Sequence, residues 1–81
     1  MDKKIVDYAI NDLGFEFSKK PSIDGKDIDW LSKKTRNGNY LWLNEFGWLY
    51  LVKIVDGLEE GVLLGDKIET WRELRNIVIR Y

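Results

Sequence analysis

Side chains able to carry out catalysis are scarce in this sequence. It contains no His and no Cys, so it lacks the usual general base near neutral pH, thiolate nucleophiles and the commonest metal ligand. Ser18, Ser22 and Ser32 lie in no Gly-x-Ser-x-Gly context, and no Gly-rich loop suited to a phosphate precedes a helix. We therefore expect no enzymatic activity, no cofactor and no metal site.

Residues suited to binding are more frequent than residues suited to catalysis, because the sequence is rich in aromatic side chains. The 81 residues include four Trp, two of them in the apolar stretch from Tyr40 to Val55. A polar break, Asn44-Glu45-Phe46-Gly47, divides this stretch into two runs rich in aromatic and β-branched residues, which predicts a β-hairpin. Both runs are apolar at consecutive positions. Since successive side chains of a strand point to opposite faces, we expect apolar surface on both faces of the sheet.

Pairing the strands of the predicted hairpins residue by residue divides these side chains between the two faces of the sheet. One face is the more purely apolar and is assigned to a helix-covered core: Trp30, Leu41, Leu43, Trp48, Tyr50, Val52 and Ile54. The predicted partner-binding residues lie on the other face and are Tyr40, Trp42, Leu49 and Leu51. An exposed aromatic cluster on a sheet is typical of a partner site, so we predict docking onto another protein or, as a homodimer, onto a second copy. A one-residue error in register would exchange the two faces.

A basic hairpin tip beside these aromatics supports an alternative function, nucleic-acid binding. The residues with phosphate-binding chemistry are Lys33, Lys34, Arg36 and Lys53. Tyr40 and Trp42 would stack on bases, as aromatic residues do in single-strand-binding proteins. The formal net charge of −1 favours a solvated turn and argues against nucleic acid or a membrane as the partner.

Helical periodicity at both ends of the chain predicts two helices. From Asp2 to Leu13 the apolar residues form one stripe, with Asp2 as N-cap and Gly14 as the left-handed residue at the end. Thr70-Trp71-Arg72-Glu73 is a capping box. The stripe after it predicts a C-terminal amphipathic helix and consists of Trp71, Leu74, Val78 and Tyr81. A run of β-branched residues near the end leaves a terminal strand as the alternative.

The segment before the central hairpin is less clearly patterned. Ser18 to Lys26 is interpreted as a loop, because Pro and Gly punctuate it. Asp29 to Arg36 is interpreted as a strand, although the helical spacing of its apolar residues leaves a helix as the alternative. Asn37-Gly38 is a strong two-residue turn signal and would place Thr35 opposite Tyr40.

After the central hairpin, Asp56-Gly57 opens a turn. Gly61 to Ile68 then predicts a shorter, weaker strand, in which the two glycines indicate a bulge or a close backbone approach.

These elements predict a single α+β domain over residues 1–81. It has an N-terminal helix, an antiparallel meander of three to four strands and a C-terminal helix, in two layers. The charged start of the chain, the lack of a membrane-length apolar run and the lack of Cys predict a small soluble domain in the cytoplasm. A short chain poor in catalytic groups is typical of small regulators and inhibitors. Its excess of Lys over Arg favours an AT-rich genome, such as that of a low-GC bacterium or one of its phages or mobile elements.

Overall fold

Two helices flank a five-stranded sheet. The computed structural model describes residues 1–21 and 27–81, with the backbone alone for residues 19–21, 27 and 28. The elements are α1 (Lys3–Asn11), β1 (Glu16–Pro21), β2 (Asp27–Lys34), β3 (Tyr40–Asn44), β4 (Leu49–Val55), β5 (Leu58–Leu63) and α2 (Trp71–Val78). The strands form one antiparallel sheet in the order β1-β2-β3-β4-β5. The predicted α+β order is confirmed, with five strands where three to four were expected. In the described residues, no helix has the length and apolar character of a membrane span.

The additional strand, β1, occupies part of the segment predicted as a loop. It pairs with β2 from Glu16 opposite Ser32 to Pro21 opposite Asp27. Pro is tolerated there because β1 is an edge strand and needs no second neighbour. Residues 22–26 of the predicted loop lie outside the described residues. The prediction of a strand for Asp29–Arg36 is confirmed over β2, and the helical alternative is wrong.

The fifth strand starts earlier than predicted. It spans Leu58–Leu63, whereas the sequence pattern placed it at Gly61–Ile68. Asp56 and Gly57 have φ values of +53° and +79°, the pair of positive angles of a type I′ turn. This two-residue turn reverses the chain at once, so Val55 pairs directly with Leu58.

Both helices begin at the predicted caps. Asp2 Oδ1 accepts a hydrogen bond from the Lys4 N–H (2.9 Å). Thr70 Oγ1 accepts one from the Glu73 N–H (3.2 Å) and donates one to Glu73 Oε1 (3.2 Å). These bonds satisfy N–H groups that have no partner within the helix. Gly14, with φ +79°, turns the chain after α1. The C-terminal segment is therefore helical, and the strand alternative is wrong.

Both helices pack on the same side of the sheet. Their buried residues form one cluster with side chains of the middle three strands and with two residues of the connecting segments, Phe15 before β1 and Ile68 before α2. The other members of the cluster are Ile5, Ala9, Leu31, Leu41, Leu43, Leu49, Leu74 and Val78. The helices also contact each other, with the rings of Tyr8 and Trp71 4.8 Å apart between centroids. We call this side of the sheet the helix side and the opposite side the open face.

The β2–β3 hairpin has a three-residue loop instead of the predicted two-residue turn. The Thr35 N–H donates to Asn39 O (2.8 Å) and the Gly38 N–H to Thr35 O (3.1 Å). Gly38 has φ +82°, which suits the last position of such a loop. Lys34 therefore lies opposite Tyr40, and the predicted pairing of Thr35 with Tyr40 is wrong by one residue.

The β3–β4 hairpin repeats this geometry. The Asn44 N–H donates to Trp48 O (3.0 Å), and Gly47, with φ +95°, takes the last loop position. Asn44 Oδ1 also accepts the backbone N–H groups of Phe46 (3.0 Å) and Trp48 (2.9 Å). In both loops a residue with a side-chain acceptor stands three positions before a glycine, as type I turns followed by a left-handed residue prefer.

The observed register exchanges side chains between the two faces. A one-residue shift reverses every side chain of a strand relative to its neighbour. Four residues predicted for the helix-covered core therefore lie on the open face: Trp30, Tyr50, Val52 and Ile54. Trp48, also predicted for the core, closes a loop and is half-buried. Leu49 and Leu51 move the other way and lie on the helix side, opposite Leu43 and Leu41.

Candidate docking surface

Four aromatic side chains lie together on the open face. We call them the aromatic patch: Trp30, Tyr40, Trp42 and Tyr50. The Trp30 ring centroid is 5.7 Å from that of Trp42 and 5.8 Å from that of Tyr50, with interplanar angles of 60° and 57°. Aromatic rings prefer such tilted pairs over face-to-face stacking. Three of the four rings therefore stabilise one another, with Trp30 between Trp42 and Tyr50.

These rings shield the centre of the open face. Val52 lies opposite Tyr40 on the neighbouring strand and is only 3 % exposed, although both helices pack on the other side. The four aromatic residues are themselves half-buried. The sequence predicted a bare second apolar face. This prediction is wrong at the centre of the open face, where the aromatic rings cover Val52.

Strongly exposed apolar residues occur instead on the β4–β5 hairpin. We call them the β4–β5 ribbon: Ile54, Val55, Leu58, Val62 and Leu63. Ile54 is 58 % exposed, Leu58 70 % and Val62 59 %. Ile54 and Leu63 lie on the open face, in line with Val52 and Tyr50, and continue the aromatic patch toward the sheet edge. Val55, Leu58 and Val62 lie on the helix side, beyond the part of the sheet that the helices cover. A run of exposed apolar residues on a small domain is typical of an interaction surface.

The ribbon is not among the predicted site residues, although the sequence contains a signal for it. Val55-Asp56-Gly57-Leu58 has an apolar residue on each side of a type I′ turn dipeptide. Such a pattern predicts a hairpin in which the two strand residues next to the turn are apolar. It does not by itself tell whether those side chains are covered, because that depends on the reach of the helices.

Two shallow grooves on the open face share one carboxylate. Trp42, Val52 and Glu59 line both of them, and Gly61 forms part of the groove beside Trp30 and Tyr50. A Cβ at Gly61 would have only Val52 Cγ2 within 4 Å, at 3.9 Å. The absence of a side chain at this strand position therefore leaves space over the sheet. The electrostatic character of the grooves is set by Glu59, which repels anionic ligands.

Two buried polar atoms lie under the open face without a hydrogen-bond partner among the described residues. They are Ser18 Oγ and Trp30 Nε1, whose residues are paired across β1 and β2.

Two of the four predicted partner-binding residues belong to this surface. Tyr40 and Trp42 are members of the aromatic patch. Leu49 is 0 % exposed in the helix-side core, and Leu51 is half-buried against the same core. The prediction that all four share one face is wrong, because the two hairpin loops have three residues each and set a different register.

The predicted nucleic-acid contacts are dispersed. Lys33 donates from Nζ to Leu13 O at the end of α1, on the helix side. Arg36 lies in the β2–β3 loop and donates from Nε to Tyr81 O (3.1 Å). Lys53 lies on the helix side opposite Glu60. Only Lys34, opposite Tyr40, shares the open face with the aromatic patch.

No cluster of three or more His, Cys, Asp and Glu residues that could hold a metal ion occurs within residues 1–21 and 27–81. No protein-family model, curated protein or solved structure matches this chain.

Proposed function

We propose that this chain is a non-catalytic interaction module that binds a partner protein through the open face of its sheet. The observation that carries the proposal is the placement of both helices on one side. The opposite side presents the aromatic patch and, continuous with it, the two ribbon residues of that face, Ile54 and Leu63. A small regulator or inhibitor acting in the cytoplasm is the class of protein that we favour.

The energetics of burial support this proposal. Removing apolar surface from water contributes about 25 cal/mol per Å², and a standard interface covers roughly 800 Å² on each partner. The half-buried rings of Trp and Tyr form a pre-organised centre, and these residue types dominate binding hot spots. Ile54 and Leu63 extend the apolar area beyond the rings. A partner that covers both regions would thus find an apolar centre already fixed in shape.

Charge favours a protein partner over nucleic acid. Glu59 lines both grooves beside the aromatic patch, where it would repel a phosphate backbone. Among the four basic residues predicted to contact phosphates, only Lys34 lies on the same face as the rings. Stacking of bases on Trp42 would therefore lack the cationic groove that single-strand-binding proteins combine with their aromatic residues.

The test compares exposed apolar residues on the two sides of the molecule. Tagged wild-type protein would be used to isolate a partner from source cells, and the affinity of the purified pair would be measured by calorimetry. Ile54→Ser on the open face should weaken binding at least about tenfold, a loss of about 1.4 kcal/mol. Ile79→Ser is the matched control, because Ile79 is 65 % exposed just after α2. It should leave the affinity unchanged.

Two further readouts make the result decisive. Far-UV circular dichroism should be the same for both variants, since both side chains are exposed. Raising the salt from about 50 to about 200 mM should change the affinity only slightly, whereas nucleic-acid binding through several phosphate contacts would fall by orders of magnitude. Equal losses in the two variants, or no loss in either, would refute docking through the open face.

A further inference from the structure

The two edges of the sheet differ in how well they are protected against pairing. Natural proteins place Lys and Pro on edge strands to discourage the addition of another strand. The edge strand β1 contains Lys19, Lys20 and Pro21, whereas β5 reads Leu-Glu-Glu-Gly-Val-Leu and contains neither Lys nor Pro. In the part of the chain that the structure describes, β5 has a neighbour only on its β4 side. The β5 edge is thus the less protected one.

The hydrogen-bonding pattern identifies which backbone groups of β5 face outward. The Leu64 N–H donates to Leu49 O (2.8 Å), so these opposed residues form a hydrogen-bonded pair. In an antiparallel ladder such pairs recur at every second residue. Val62 and Glu60 therefore bond to β4, opposite Leu51 and Lys53. The alternate residues direct their N–H and C=O groups away from the sheet: Glu59, Gly61 and Leu63.

The side chains along this edge define what would pair with it. On the helix side Glu60 lies opposite Lys53, so its charge has a neighbouring cation. On the open face Glu59 lies opposite Ile54, which supplies none. Gly61 leaves space beside the aromatic patch, and Leu63 adds exposed apolar area.

We propose that the outer edge of β5 binds an extended segment of a partner protein as a sixth strand, with a Lys or Arg of that segment opposite Glu59. This inference rests on the proposed function and names the mode of contact. Directly opposed residues of an antiparallel pair have Cα atoms about 5.5 Å apart when hydrogen-bonded, close enough for an ion pair across the strands. Apolar residues of the segment would lie beside Gly61 and Leu63.

A second copy of this chain fits the same edge less well. The strand β5 has no basic residue, so no register of β5–β5 pairing between two copies places a cation opposite Glu59. Every such pairing also brings the carboxylates of Glu59 and Glu60 from both copies to one seam, where like charges are destabilising. Charge complementarity therefore selects a partner with basic residues.

The test measures amide hydrogen exchange at β5 by NMR with two eight-residue peptides that differ at one position. On the side that would face the aromatic patch, each peptide has Val at every position except the one opposite Glu59, which is Lys in the Val-Lys peptide and Glu in the Val-Glu peptide. The alternate positions of both peptides are Thr. At a peptide concentration about ten times the Kd, the outward amides of Glu59, Gly61 and Leu63 should exchange about tenfold more slowly with the Val-Lys peptide. The Val-Glu peptide should have no effect. The amides of Glu60 and Val62, which already bond to β4, serve as internal references.

A charge-reversal variant completes the experiment. Glu59→Lys, at an exposed position, should transfer the protection from the Val-Lys to the Val-Glu peptide. Equal protection by both peptides, or none by either, would overturn the proposal. Protection that rises with protein concentration alone, with a doubled mass in light scattering, would assign the edge to a second copy and also overturn it. If Ile54→Ser still weakens partner binding while no amide is protected, the edge inference fails and the proposed function stands.

Discussion

Gly47 and Gly38 hold equivalent positions in two hairpins and differ in the space around them. Their φ values are +95° and +82°. A Cβ at Gly38 would have nothing within 4 Å, whereas a Cβ at Gly47 would lie 2.9 Å from Ile68 O. That oxygen cannot easily withdraw, because the Ile68 N–H donates to Gly47 O (2.8 Å) and fixes the two backbones together. Substitution of each glycine by Ala should therefore have unequal effects.

The magnitudes follow from two separate costs. A left-handed conformation costs an L-residue with a Cβ about 1 kcal/mol or somewhat more, and this cost applies to both positions. Forcing an extra carbon into occupied space adds roughly 1–3 kcal/mol, and this cost applies at Gly47 alone. We expect Gly38→Ala to lower the free energy of unfolding by about 1 kcal/mol and Gly47→Ala by about 2–4 kcal/mol.

Thermal unfolding followed by circular dichroism measures this difference. For a domain of this size, 1 kcal/mol corresponds to a shift in Tm of roughly 4–8 °C. Gly38→Ala should lower Tm by about that amount and Gly47→Ala by at least about twice as much. Equal shifts in the two variants would show that the segment before α2 does not pack against the β3–β4 loop as described.

Two pairs of substitutions test the helix-covered core and the helix cap. Leu49→Ala, at a fully buried position, should cost about 2–5 kcal/mol of unfolding free energy. Val62→Ala on the exposed ribbon should change that free energy by no more than about 0.5 kcal/mol. Urea titration monitored by Trp fluorescence measures both, and similar losses would contradict the exposure of Val62 beyond the helix-covered core. Thr70→Ala removes the acceptor of the Glu73 N–H and should cost about 1 kcal/mol by the same titration, whereas Thr70→Ser keeps the hydroxyl and should cost about half of that or less. A loss in Thr70→Ser as large as in Thr70→Ala would assign the effect to the methyl group instead of the cap.

The order of elements could be predicted from the sequence because its determinants are local. The N-cap Asp2 and the pair Thr70 and Glu73 mark the starts of both helices through bonds that span two or three residues. The class of fold follows from that order, since a run of strands between two helices is most simply closed as an antiparallel meander.

The strand register could not be predicted as reliably, because the segment between β2 and β3 is compatible with two turn types. Asn37-Gly38 is compatible with a two-residue turn and also with the end of a three-residue loop that begins after Thr35. The longer loop gains the bond from the Asn39 N–H to Thr35 Oγ1 (3.0 Å). This difference of one residue, repeated at Asn44 and Gly47, decided which side chains form the aromatic patch.

The exposure of the β4–β5 ribbon depends on the length of β4 relative to the two helices, which no local sequence pattern predicts. The seven residues of β4 extend over about 23 Å at 3.3 Å per residue. The helices have nine and eight residues, or about 12–14 Å at 1.5 Å per residue. They cover the middle of the sheet and leave the distal end of β4 and all of β5 exposed.

The meander also has a kinetic consequence. Each strand pairs only with its neighbour in the chain, so every pairing closes a short loop, and domains dominated by such local contacts fold rapidly. The contacts that bridge the greatest distance along the chain join the two helices at its ends, as between Tyr8 and Trp71. We expect the sheet to assemble first and the ends to meet last, which makes the indole of Trp71 an intrinsic reporter of the final step of folding.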